Sequence, residues 1–586
     1  MDYNICIDFG TSNTVISYVE NGILKQIQDD ITCDILIPTT IYFINSQVKS
    51  NKKFVDLEPE SDYLIGSVSN DLINSNKDWE NYFFQFKRFL GITSKSINSH
   101  KDFLDKYNFK YSTDEDTIYF YINSSDDLEC QIKFSICDLI RLFFKALKNI
   151  IINKLGITGL IPIILTCPAY FHDLQRSQLK RSAELAGFEI FKLINEPTAA
   201  SIFYINKYSK LTKTNTNTNT NKYIIYDLGG GTIDTTVVEY YPDLNSYEVV
   251  DIDGNNSLGG IDIDNILTFD IISRYSIDKS NVKYLNKIKK YAEEIKIKLS
   301  IQQNHTIYSE NVPTINKFGK SIIQDNLKIT YSRQLFNNLI NDIVDQMILP
   351  IKNMYCKYKT SNIIFIGGPT QIPLIQQKVY SIINLSTDSK INLNILEHDT
   401  NQNENQNENQ NEFKSNNLIL YKTIVSQGGS VYYKKITTKE DFCLLDIIPM
   451  NIGINDPDNN MIKMIEKNSK IPVSVERYFT TSHDCQRSID IEIYEGLELN
   501  CQSNTFIGSY KIIQIPPLPK GMILIKLLFK ISYNGILDIS ISGFKNPSDN
   551  SAKSYDYKLC ENIKIIPNIV AKELLKKFAL LLSEKK

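Results

Sequence analysis

The 586-residue sequence predicts an α/β two-lobed domain, then an antiparallel β-sandwich and a short C-terminal helix. Three observations predict this. Two strand–acid–glycine–strand segments, built on Asp8 and Asp227, stand far apart in the chain. Helical and strand-like periodicities alternate around them as far as residue 437. From Ile447 onward, short alternating segments recur between turn signals, the pattern of a compact sandwich.

Composition bounds the class. Hydrophobic content of 42% with 22% charged residues suits a globular chain of two or more domains with a large core. A net charge of −3 and the lack of a dense basic run exclude a nucleic-acid scaffold. No apolar run approaches the ~20 residues that span a bilayer, so no membrane partner is expected. The ten cysteines form no C-x-x-C pair and no metal-like cluster with the five histidines, as in reduced intracellular proteins. Met1 leads straight into the first strand, leaving no room for a targeting peptide, and a cytoplasmic location is expected.

The segment Tyr223 to Glu239 organises the first domain. An apolar run meets Asp227, then Gly229, Gly230 and Gly231, then Thr232, Asp234 and a β-branched run. The runs predict two antiparallel strands with the glycines as their turn. Three glycines exceed what a hairpin needs. Bare backbone lets amide N–H groups approach an anion, and Thr232 adds a hydroxyl donor. Asp227 beside them suits a hydrated magnesium ion, which prefers oxygen ligands and keeps most of its waters. Taken alone, the triplet also fits an ordinary hairpin with a loose turn.

A shorter version opens the chain, where Asp8, Gly10, Thr11 and Ser12 lie between two strands. A third glycine element, Gly367-Gly368, follows a buried-looking strand from Ile363. A P-loop is absent, because Thr314 stands where the leading glycine of Gly319-Lys320-Ser321 would be. The pattern therefore predicts a phosphate clamp made by two similar lobes.

The other elements follow in order. Residues 1 to about 60 read as a small sheet carrying the first loop. Lys87 lies in an aromatic run, and by itself reads as a solvated lysine. Phe134 to Leu155 has helical periodicity, Ile161 to Thr166 reads as a strand, and Asp173 to Ala186 as a helix stopped by Gly187. Phe191 to Ile194 is a short strand ending near Glu196, which alone reads as a helix-start acid before Pro197. The low-complexity stretches near 212–221 and 401–412 are too polar to bury a core and are expected as disordered surface loops. Tyr291 to Ser300 reads as a helix, and Asp441 to Asp446 as an acid-bounded apolar strand.

Taken in this order, the motifs resemble the heat shock protein 70 family, within the actin-like ATPase superfamily. The resemblance rests on Asp8-Phe-Gly-Thr11, Phe86-Lys-Arg88, Cys167-Pro-Ala-Tyr-Phe171, Arg176, Ile194-Asn-Glu-Pro-Thr-Ala-Ala200, Asp227-Leu-Gly-Gly-Gly-Thr232, Leu258-Gly-Gly260 and Gly367-Gly-x-Thr370. It implies an ATPase domain over 1–437, an interdomain linker over 438–446, a peptide-binding β-domain over 447–550 and a truncated helical lid or tail over 551–586. It implies ATP/ADP and Mg2+ as cofactors, with K+ as an accompanying cation. Asp8, Glu196 and Asp227 would hold magnesium through water, with Lys87 and Asp234 near the attacking water. Gly10, Thr11, Ser12, Asn13, Gly229, Gly230, Gly231, Thr232, Gly259 and Gly260 would cradle the phosphates.

At the base end, Glu293, Lys296 and Ser300 match ribose- or base-contacting positions, beside Gly367 and Gly368. Here the sequence departs from the family. Ile297 and Gln371 stand where two base-stacking arginines are usual, and Pro369 replaces a small or polar residue. Phosphate binding is therefore the firmer expectation, ahead of adenine selectivity.

In the β-domain, Ile454, Phe479, Ile489, Ile491 and Ile525 match peptide-groove positions, with Ser482 at the arch opposite Asp456 and Pro457. From Asn568, an apolar stripe reads as one amphipathic helix. The implied activity is an ATP-dependent chaperone binding extended hydrophobic segments of unfolded clients, with a J-domain cochaperone and a nucleotide-exchange factor as partners. A second reading, favoured by Ile297, Gln371, Pro457 and the short tail, is a non-cycling regulator, exchange factor or holdase for a conventional member. A sugar kinase would share the phosphate loops but has no place for the chain after residue 446.

Overall fold

A computed structural model of the chain describes residues 3–44, 57–93, 109–208, 221–384 and 410–545, with breaks at 30, 76–80, 115–116, 124–130, 361 and 514. Residues 97 and 564–567 are also described. Each lobe is built on a six-stranded sheet around the same motif. In the first lobe, Ile5–Phe9 forms a hairpin with Asn13–Glu20 and lies parallel to Ile161–Cys167. In the second, Asn221–Leu228 forms a hairpin with Ile233–Tyr241 and lies parallel to Ile363–Ile366. Both central strands are almost wholly buried, which their unbroken apolar runs dictate.

The predicted element types hold, with shifted ends. Phe134 and Ser135 close a strand, and the helix runs Ile136–Leu155. Ser135 caps it by accepting from the Asp138 amide, and Gly156 ends it at φ 63°. The second helix is Asp173–Leu185, with Gly187 beyond it at φ 90°. The strand before Glu196 is longer than expected, Phe188–Asn195, and Glu196 begins the helix Glu196–Tyr208. The first polar insert falls mostly outside the described residues, but its last member, Asn221, starts a strand. The second ends in helix Gln410–Thr437, so residues 410–412 are helical. Ordering these short polar ends is the work of the long elements they join.

Helix Gln410–Thr437 sits against Glu196–Tyr208 and the Ile5–Phe9 hairpin at glycine contacts. A Cβ on Gly428 would lie 1.8 Å from Ala199 O, and one on Gly429 would lie 2.2 Å from Cys6 Sγ. Only bare backbone fits there.

The segment predicted as a linker supplies strand Cys443–Ile447. It pairs in parallel with Ser246–Asn255 at the edge of the second lobe's sheet and antiparallel with Lys470–Ile471. Beyond it lies the antiparallel sandwich. One sheet runs Met461–Ile465, Asn451–Asn455, Ser488–Gly496, Thr505–Ile513 and Lys564–Pro567; the other runs Val473–Thr480, Ile523–Ile531 and Leu537–Lys545. Isoleucines 452, 491, 493, 523 and 525 with Phe529 fill its core. Lys564–Pro567, read as part of a lid or tail, is instead an edge strand. The helix predicted from Asn568 lies outside the described residues. No helix among the described residues is long and apolar enough to cross a membrane.

Candidate functional site

The two glycine turns face each other across a cleft of about 460 Å³. Their backbones approach closely: a Cβ on Gly230 would lie 2.8 Å from Ser12 Oγ, and one on Gly231 would lie 3.2 Å from Thr11 Oγ1. Gly259 packs beneath, where a Cβ would meet the Gly230 backbone at 2.6 Å. The Gly260 and Ile261 amides donate to Gly229 O and Gly230 O at 3.0 and 2.9 Å, locking the turn to a helix start. Gly367 holds φ 85°, open to glycine, and a Cβ would strike Leu228 O at 2.1 Å.

Acids line the floor. Asp8 accepts from Thr166 Oγ1 at 2.8 Å, and Glu196 from Lys87 Nζ at 2.8 Å. Lys87 is 3% exposed, so the solvated-lysine alternative fails. Asp227 and Asp234 face each other in the hairpin register, and Asp234 accepts from the Tyr170 amide at 2.7 Å. Burial, then Glu196, pushes Asp8 up to about 7. Burial and neighbouring acids hold Asp227 well above the carboxylate range, and burial with Glu196 lifts Asp234 to about 7. Burial alone would lower Lys87, but Glu196 and Asp8 outweigh it and hold the ammonium above its ordinary value.

The floor presents only oxygen donors with Lys87 beside them, a donor set that suits a hard, hydrated divalent ion. Among the described residues, no three His, Cys, Asp or Glu side chains converge as a direct metal cluster. A hydrated ion, with waters between metal and carboxylate, needs no such convergence.

Of the residues expected to contact nucleotide, Gly10, Thr11, Ser12, Asn13, Lys87, Glu196, Asp8, Asp227, Gly229, Gly230, Thr232, Gly260, Glu293, Lys296, Ile297, Ser300, Gly367, Gly368, Pro369 and Gln371 all line the cleft. Gly231, Gly259 and Asp234 lie just behind it. Two further residues carry the site. Arg88 donates to Ser257 O at 2.8 Å and meets Asp262 Oδ2 at 3.4 Å, tying the lobes together. Asp264 meets Lys296 Nζ at 2.6 Å and orients it. Arg88 was visible in the Phe86-Lys-Arg motif, but its partners lie too far along the chain for spacing to reveal.

The family model described as Hsp70 protein matches residues 4–395 and 424–557. The chain belongs to the Hsp70 family. It is 27% identical over 549 residues to Chaperone protein dnaK of Phaeodactylum tricornutum, covering 91% of this chain and 78% of that one. Its identity to Chaperone protein DnaK of Mycoplasma mycoides is 28% over 564 residues, covering 94% and 78%. Against Heat shock 70 kDa protein 7, chloroplastic, of Arabidopsis thaliana it is 26% over 549 residues, covering 92% and 67%. Family membership supports a chaperone function and the two-lobed ATPase domain with its β-sandwich.

In this Hsp70-family chain the cleft floor runs directly into the domain junction. Asn195, the neighbour of Glu196, donates through Nδ2 to both carboxylate oxygens of Asp446 at 3.0 Å. Its Oδ1 accepts from Arg176 at 2.8 Å, and Arg176 also binds the Phe171 and Ala169 carbonyls, each at 2.9 Å. The sandwich docks beside it: Glu495 accepts from the Asp173 amide at 2.8 Å, Asp173 from the Leu537 amide at 2.6 Å, and Asn534 from the Leu193 amide at 2.9 Å. Asp251 accepts from Asn468 at 3.0 Å on the other flank.

Of the groove residues, Ile454, Ile491 and Ile525 are buried in the sandwich core, with Phe479 and Ile489 half-buried against it. Ser482 is exposed and bonds Gln486, while Asp456 accepts from the Asp458 and Asn460 amides of its own loop.

Proposed function

We propose that this chain is an ATP-driven chaperone that binds extended hydrophobic peptide segments and couples their affinity to nucleotide state. One observation carries the reading: a buried acid–lysine cluster between two glycine turns adjoins, through consecutive residues Glu196 and Asn195, the strand that joins the two domains.

Asp8, Glu196 and Asp227 would hold hydrated magnesium, which when bound neutralises charge on the phosphate oxygens. The Gly229 to Gly231 and Gly10 to Asn13 turns present amide N–H groups and hydroxyls to the phosphates. Lys87, fixed by Glu196, places a positive charge where negative charge grows on the transferred phosphoryl group. Asp234, held by the Tyr170 amide just behind the cleft, would orient the attacking water. Closure of the lobes would shift the Asn195 end of its strand, and with it the hold on Asp446. Undocking would have to open Ile454, Ile491 and Ile525, buried in the sandwich core, before these positions could take client side chains while the client backbone pairs alongside a strand. A J-domain cochaperone and a nucleotide-exchange factor are the expected partners.

The test is single-turnover ATP hydrolysis, with and without a model extended peptide and a J-domain protein. Slow hydrolysis accelerated by both supports the cycle. Tight nucleotide binding with no acceleration would replace it with a non-cycling regulator.

A further inference from the structure

Two neighbouring strand ends each send one residue to the cleft floor and an adjacent one to the domain junction. Thr166 and Cys167 close strand Ile161–Cys167, and Asn195 closes Phe188–Asn195, with Glu196 following it. On the floor side, Thr166 donates to Asp8 and Glu196 accepts from Lys87, each at 2.8 Å. On the junction side, Cys167 and Asn195 stand opposite each other in the parallel register.

The Cys167 thiol is wholly buried and hydrogen-bonded in both senses. Arg176 Nη1 donates to Cys167 Sγ at 3.1 Å, and the thiol donates to Asn195 Oδ1 at 3.8 Å. Arg176 Nη2 donates to that same oxygen at 2.8 Å, closing a ring of three side chains. Burial pushes the thiol up to about 12, against the pull of Arg176, so it keeps the proton it donates.

The ring decides which way the Asn195 amide faces. Its oxygen is claimed by two donors, which leaves Nδ2 for both carboxylate oxygens of Asp446 at 3.0 Å. The reversed amide would set N–H groups against the guanidinium and turn its oxygen onto a carboxylate. Arg176 is held in turn: Nε and Nη2 donate to the Phe171 and Ala169 carbonyls, each at 2.9 Å, and the sulfur takes Nη1. An apolar side chain of similar size would fill the space at Cys167 but would leave Nη1 without this acceptor.

Resting on the nucleotide-coupled docking proposed above, we infer that Cys167 is a positioning residue of the coupling path. Its thiol locks Arg176 and the Asn195 amide in the one arrangement that grips Asp446, and so ties the end of a floor strand to the docked junction.

The test is amide hydrogen exchange across residues 443–447 of the full chain, with and without ATP and magnesium. Cys167→Val, which fills the space without hydrogen-bonding, should speed exchange by about threefold to tenfold. Cys167→Ala, which cannot overpack, should do the same. Cys167→Ser, which keeps a donor and an acceptor, should restore protection to within about twofold of the unaltered protein. In an Asn195→Ala background, Cys167→Val should add less than about twofold, because the thiol acts through Asn195. Parent-like protection in Cys167→Val overturns the proposal, and so does a serine no better than valine. Full additivity with Asn195→Ala overturns it too, since Cys167 would then only fill space. If exchange in the unaltered protein ignores nucleotide, the coupling reading fails and the path with it, even where the variants still show that Cys167 sets the grip.

Discussion

Asn195 holds Asp446 through both carboxylate oxygens at 3.0 Å, although the two lie on opposite sides of the domain junction. Burial raises the Asp446 carboxyl, with Lys192, the Ile447 amide and Arg176 opposing. Removing Asn195 would leave a buried carboxylate short of donors, a loss of about 1–3 kcal/mol. Asn195→Ala should therefore shift the docking equilibrium by roughly 5- to 150-fold. Amide hydrogen exchange across residues 443–447 should speed accordingly; protection equal to that of the unaltered protein would show that Asn195 does not hold the strand.

Lys87 is the one cation hydrogen-bonded within the described acid floor. Lys87→Ala should slow single-turnover ATP hydrolysis by about 100- to 1,000-fold, the cost of removing one preorganised stabiliser. Nucleotide affinity should change far less, since the glycine turns remain. An unaltered rate would take Lys87 out of the chemistry.

Docking should depend on pH through Glu495. Burial, opposed by the Asp173 amide, raises its carboxyl from 4.5 to about 8, with the Asp173 carboxylate raising it and Arg176 lowering it. Asp173 is itself raised by burial, to about 6. When the sandwich undocks, Glu495 returns to its ordinary value. Between about 4.5 and 8 the docked form therefore binds the extra proton, so docking weakens as pH rises through this window and levels off above it. Small-angle scattering should show expansion from pH 5 to 8, and Glu495→Gln should flatten much of that response.

Gly428→Ala should destabilise the ATPase domain. Its Cβ would meet the Ala199 carbonyl, which is backbone and cannot swing aside. A cost on the order of 1–3 kcal/mol is expected, visible as a lower thermal midpoint of the first transition. A midpoint within error of the parent would mean that the two helices slide apart freely.

Local chemistry made much of this fold legible. The Asp227 and Asp8 hairpins, the Gly187 stop and the alternating strands after Ile447 all follow from turn residues and apolar periodicity within a few positions. The cleft was also legible, because the residues expected to bind phosphate cluster in short motifs. What spacing could not reveal was pairing over distance. Lys87 looked like a surface lysine because Glu196, its partner, lies 109 positions on. Asn195 stood in a quoted motif without a role, since Asp446 is 251 positions away. Lys564–Pro567 read as tail because it is too short to show a period, and only the open edge of Thr505–Ile513 makes it a strand.

Strand Cys443–Ile447 has a mechanical consequence. Its ladder to the ATPase sheet has only three residue pairs, Ser246↔Cys443, Tyr247↔Leu444 and Glu248↔Leu445, and its ladder to the sandwich has two. A tensile load between the domains would concentrate on these few bonds, while the four strands from Ile363–Ile366 to Ser246–Asn255 stayed paired. The junction acts as a weak link in series with stiff springs: it parts at low force and zips back quickly when slack returns.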